Sequence, residues 1–189
     1  MPLSNEWTGP MGHLIDDDQT IELYIWLGTN ERLSGDGGIP AAKPLSSALS
    51  ADKVKAVRNY FAEYHLEYFR QRQYSHFPSR LHACSLFATR TDAEMFGDRH
   101  PPSIDGKNLV QTRSQGPYLC SFHDASWLDY LHLPHSLSLA ELDTIAAYYW
   151  QGVLVEQVAP RYAEQPWREP PVIEALFRGS LVKVGESPI

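Results

Sequence analysis

The apolar residues of this chain come in short runs, none near the ~20 residues a membrane-crossing helix needs, and each run is bounded by Gly, Pro, Ser or a capping pair. That punctuation dictates strands alternating with capped helices. Ile21 to Leu27, rich in Tyr, Ile and Trp, reads as a strand. Gly28 to Ser50 carries Gly, Pro and Ser throughout, which predicts a long mobile loop, the place for a lid or for acceptor choice. Ser50 then caps a helix from Ala51 to about Gln73, on which Val54, Val57, Phe61, Tyr64, Leu66 and Tyr68 recur near helical spacing. Phe77, Pro78 and Ser79 break it, and Leu81 to Ala88 is apolar enough for a central strand.

Further on, Thr91 and Glu94 form a capping box for a short helix, Asp92 to Phe96, stopped by Gly97. Asp98 to Ser114 reads as a polar connection, Gly116 to Phe122 as a strand, and Asp124 as the cap of a helix through Leu131. Ser138 and Glu141 cap another helix, to Gln151, ended by Gly152. After a Pro-rich connection, Val172 to Phe177 and Leu181 to Val184 predict a closing hairpin with Gly179 at its turn or bulge. The expected class is α+β, one domain over residues 1–189, with a strand and loop in 1–50 and the helix and core in 51–189.

Composition narrows the function. Hydrophobic residues at 43% and charged residues at 21% suit a globular core. A net charge of -7 with no basic cluster argues against a duplex-binding protein, although Arg70, Arg72, Arg80 and Arg90 could line a local anion pocket. Only Cys84 and Cys120 are present, too few for a disulfide framework. With no signal-like start, a cytoplasmic location without membrane contact is the expectation; export as a toxin or effector would leave the same trace.

At Arg80 to Phe96, RLHACSLFATRTDAEMF, and at Val172 to Val184, VIEALFRGSLVKV, the chain resembles the ADP-ribosyltransferase-like superfamily, near a group of uncharacterised bacterial proteins of that fold. The resemblance covers roughly the C-terminal two thirds. It implies a split β-sheet core with flanking helices, NAD as substrate, and transfer of ADP-ribose to a protein or nucleic-acid acceptor, or hydrolysis of NAD. It implies Glu174 as the catalytic carboxylate, Ser85 and Phe87 at the nicotinamide riboside, and Arg80, with Arg70 as its competitor, at the NAD phosphates. Breaking the glycosidic bond of NAD develops positive charge on the ribose, which a nearby carboxylate stabilises. Val172 stands where the family has a Glu or Gln two residues before the catalytic Glu, which argues against arginine-directed transfer.

Other readings stand beside this one. Glu174 can be a water-facing residue of a half-exposed strand, and Ser85 and Phe87 ordinary strand residues. His123, Asp124, His132 and His135 match no zinc spacing, and a nucleophilic Cys84 or Cys120 would need a positive, accessible setting. The competing function is a catalytically inactive scaffold of the same fold that binds a protein or nucleotide. Whether Arg80, Ser85 and Glu174 meet in space discriminates the two.

Overall fold

The computed structural model describes residues 12, 14–17, 19–28, 51–131, 137–158 and 169–184. Among these residues five strands form one antiparallel sheet: β1 (Leu14–Asp17), β2 (Glu22–Gly28), β3 (Cys84–Phe87), β4 (Lys107–Asp124) and β5 (Ile173–Lys183). The order β1-β4-β2-β3-β5, with a further β4–β5 pairing, closes β4, β2, β3 and β5 into a ring and leaves β1 on the outside edge of β4. The β2–β3 seam rests on one register pair, Tyr24 with Phe87. The α+β class holds. The split sheet implied by the resemblance is not plainly drawn, because β4 and β5 run on through both halves of the ring.

Strand alternation sorts the side chains onto two faces. Leu23, Leu86, Cys120, Phe122, Ala175 and Phe177 pack on one another inside the ring. Leu176 faces outward and joins a second core with Leu66 and Phe69 of α1 (Ala51–Gln73), Trp127 and Tyr130 of α4 (Ser126–Leu131), and Tyr149 and Trp150 of α5 (Leu139–Gln151). Val155 and Val158 of the short α6 (Val155–Val158) complete it. No helix among the described residues is long and apolar enough to cross a membrane.

The helix α1 spans the expected residues, and α5 has the expected Ser138–Glu141 box and left-handed Gly152 cap. Four expectations are corrected. The helix after β3, α2 (Arg90–Arg99), is capped by Thr89 and Asp92 rather than Thr91 and Glu94, since Asp92 also accepts from the Ile173 amide at 2.8 Å. It passes through Gly97, where a Cβ would come within 3.2 Å of the Trp26 ring, so this glycine serves close packing and not termination. The connection Asp98 to Ser114 holds the short α3 (Pro101–Ile104) and the first half of β4, whose Lys107 to Arg113 pair along all of β2. The closing hairpin is one continuous strand, and Gly179 sits opposite a bulge in β4 between Gln115 and Leu119. The loop Gly28 to Ser50 lies outside the described residues beyond Gly28, as do Ser50, His132 and His135.

A Cβ at Gly179 would stand 2.7 Å from the Tyr118 Cβ, an approach neither backbone can relieve without moving the bulge. Gly179→Ala should therefore destabilise the protein by about 1–3 kcal/mol, read as a lowered urea midpoint at unchanged m-value.

Candidate functional site

Helical spacing puts Glu63, Glu67 and Arg70 on one face of α1, and this face grips the segment leading into β3. Glu67 accepts from Arg70 Nε and Nη2 at 2.9 and 2.8 Å, and from Ser79 Oγ at 2.9 Å. Arg70 Nη1 in turn donates to the Ser75 and Phe77 carbonyls at 3.1 and 2.9 Å. One turn earlier, Glu63 accepts from Arg80 Nε at 2.7 Å and Nη2 at 2.9 Å. These bonds fix Arg80 just before β3 begins.

Arg80 reaches under the helical layer to Glu174. Its Nη1 donates to Glu174 Oε1 and, at 2.8 Å, to the Tyr149 hydroxyl, which itself donates to Oε1 at 2.8 Å. The other carboxylate oxygen, Oε2, accepts from Ser85 Oγ at 3.0 Å. Phe87 faces Glu174 across the β3–β5 register, its ring 4.9 Å from that of Phe96. Arg80, Ser85, Phe87 and Glu174 thus converge, with every nitrogen of Arg80 engaged inside the protein. Arg70 stands apart, tied to Glu67 and the Ser75–Phe77 turn. Glu174 is 2% exposed and Arg80 7%, whereas Ser85 opens to solvent.

The backbone under Glu174 is held as firmly. Asp124 Oδ1 accepts from the Val172 and Ser126 amides at 3.2 and 2.9 Å, and its Oδ2 from the Val155 amide at 2.9 Å. With Asp92 on the Ile173 amide, two buried aspartates clamp the two residues before Glu174. Asp124 therefore does more than cap α4. Glu63 and Tyr149 are the site residues that sequence reasoning missed; the Glu63–Glu67 repeat on α1 was the available signal for the first.

Electrostatics follow from this geometry. Burial alone would push the Glu174 carboxyl up, but the Arg80 charge and the Arg80 and Tyr149 hydrogen bonds outweigh it and hold the group below its ordinary range. Burial likewise opposes the Arg80 charge, and Glu174 and Glu63 outweigh it, so the guanidinium stays protonated. Glu174 is thus a fixed anion, poorly suited to take up a proton as a general base. His123, cross-strand from Glu174, donates from Nδ1 to the Tyr149 carbonyl at 2.9 Å and accepts at Nε2 from Ser121 at 2.8 Å. Burial drives its pKa down to about 4. With both nitrogens engaged it offers no metal ligand. Burial also pushes the Cys84 thiol up to about 11 and the Cys120 thiol higher still, which leaves no thiolate nucleophile.

No protein-family model matches the chain, and none of the curated proteins matches it.

Removing one member of a buried pair strands the other charge, so Arg80→Met should cost about 3–5 kcal/mol in denaturant unfolding. Glu174→Gln should cost less, because Glu63 still neutralises Arg80. For His123 the folded value of about 4 lies below the ordinary 6.5, so the unfolded chain binds the proton the folded one refuses. Stability is complete above pH 6.5 and should fall by about 3 kcal/mol toward pH 4. The depressed Glu174 carboxyl adds a further loss as pH drops through its own folded value. Urea titrations of His123→Gln across that range should show a shallower slope; an unchanged slope would exclude His123 as the titrating group.

Proposed function

We propose that this protein is an NAD-consuming enzyme of ADP-ribosyltransferase type, which transfers ADP-ribose to a macromolecular acceptor or hydrolyses NAD. The observation that carries the reading is the meeting of the solvent-facing Ser85 hydroxyl with Oε2 of the anionic Glu174, beside Phe87 on the same strand face. In the reaction the ribose–nicotinamide bond breaks, nicotinamide leaves with the electron pair, and the ribose carbon gains positive charge before the acceptor or water attacks it. A carboxylate that stays ionised meets that charge. Arg80 and Tyr149 hold Oε1 and leave Oε2, with Ser85, as the reactive side. In this reading β3 and β5 are the paired strands of the split-sheet core, and Arg80 acts by fixing Glu174 rather than by binding phosphate.

The competing reading, an inactive scaffold that binds a protein or nucleotide, is favoured by the 2% exposure of Glu174 and by the Arg80 charge lying against it. Nicotinamide release from NAD, followed for the protein and for Glu174→Gln, separates the two. Release that drops at least a hundredfold in the variant, while calorimetry still detects NAD binding, supports the enzyme. Absence of both release and NAD binding leaves the scaffold.

A further inference from the structure

Glu174, Leu176 and Arg178 project from the same face of β5. Four residues at roughly 3.3 Å each put Arg178 about 13 Å along the strand from Glu174. Its cross-strand partner is Leu119, and Ala83, the residue before β3, lines the same groove. Here the face opens into a groove of about 630 Å³, whose lining includes Arg178, Arg70, His76 and His82 and, among the described residues, no carboxylate. A concentration of cationic and imidazole donors is unexpected in a chain of net charge -7. Glu67, the acid nearest Arg70, is occupied by Arg70, Gln71 and Ser79.

Arg178 differs from the other arginines. Among the described residues, Arg70, Arg80, Arg90, Arg99 and Arg113 each face a carboxylate, and Arg72 lies over the Tyr68 ring. The exposed Arg178 guanidinium has no such partner among them. A planar fork with unengaged donors, flanked by imidazoles, matches the oxygens of a phosphate group. Phe77, Pro78 and Leu119 add apolar surface to the same lining. The volume falls within the roughly 300–1,000 Å³ of small-ligand sites.

We infer that this groove is a second binding site, distinct from Glu174, for a phosphate ester of nucleotide size, with the phosphate on Arg178 and the His76 and His82 rings and the organic body on the apolar wall. Arg70, its charge met by Glu67 and its donors engaged by Glu67 and the Ser75 and Phe77 carbonyls, forms a fixed wall of the groove and leaves the phosphate to Arg178 and the imidazoles. The site does not depend on the function assigned to Glu174.

Calorimetric titration with AMP, adenosine and inorganic phosphate at low salt tests it. AMP should bind at least tenfold more tightly than adenosine, and Arg178→Ala should remove at least tenfold of that affinity. Arg178→Lys, which keeps the charge without the fork, should fall between them, and Arg72→Ala should bind AMP as the parent does. Inorganic phosphate binding as tightly as AMP supports the site and narrows its ligand to the phosphate alone. AMP binding no tighter than adenosine, or AMP affinity unmoved in Arg178→Ala, overturns the inference.

Discussion

The ion pair between Arg80 and Glu174 is the constraint on which the rest of the structure depends. Both groups are buried, and taking two charges out of water costs more than their attraction returns unless every remaining donor and acceptor finds a partner. Here they do: Glu63 takes the far side of the guanidinium, Tyr149 bridges the two charges, and Ser85 completes the carboxylate. Those three partners come from α1, α5 and β3, with the acid on β5. A single polar network therefore fixes how the helical layer sits on the sheet. The contact that holds the layers together also covers the carboxylate, with Oε2 turned to the exposed Ser85.

Beneath that network, two aspartates convert local capping into long-range order. Asp92 belongs to the first turn of α2 and Asp124 to the end of β4, and each carries out a turn or cap within its own segment. Each also accepts an amide from the start of β5, so helix α2, helix α6 and the strand bearing Glu174 share two buried carboxylates. Burial raises the Asp124 carboxyl despite these bonds, which shows how much desolvation the clamp absorbs. The position of Glu174 is thereby set by backbone hydrogen bonds and not only by its own side chain.

What the sequence disclosed was whatever is local. The Ser138–Glu141 box and Gly152 define α5 within one turn at each end, and α1 announces itself by periodicity. Thr89–Asp92 and Thr91–Glu94 both satisfy the capping spacing, and an amide from Ile173, far along the chain, decides between them. Lys107 to Arg113 reads as a loop because its polar residues dominate, yet β2 supplies a partner for each of them. Gly179 signals a change of direction in isolation, whereas beside Tyr118 it allows two strands to come close. Of the site, Glu174, Ser85, Phe87 and Arg80 were legible as a pattern. Arg70 drew attention as a cation and is held by Glu67 three residues before it, while Arg178 carries no local signal, and only the strand register sets it opposite Leu119.

The ring of strands has a bearing on how the chain reaches this state. None of its pairings is a tight hairpin: β1 and β2 wait for β4, β3 waits for β5, and β4 and β5 are themselves separated by a stretch that holds α4, α5 and α6. Each closure brings together distant parts of the chain before its contacts can offset the lost entropy, so the sheet belongs among slow-folding, high-contact-order arrangements. During synthesis the long β4 emerges before β5, the strand that runs along most of it, and its polar first half, with Lys107 and Arg113 exposed, tempers an edge that would otherwise invite pairing between nascent chains.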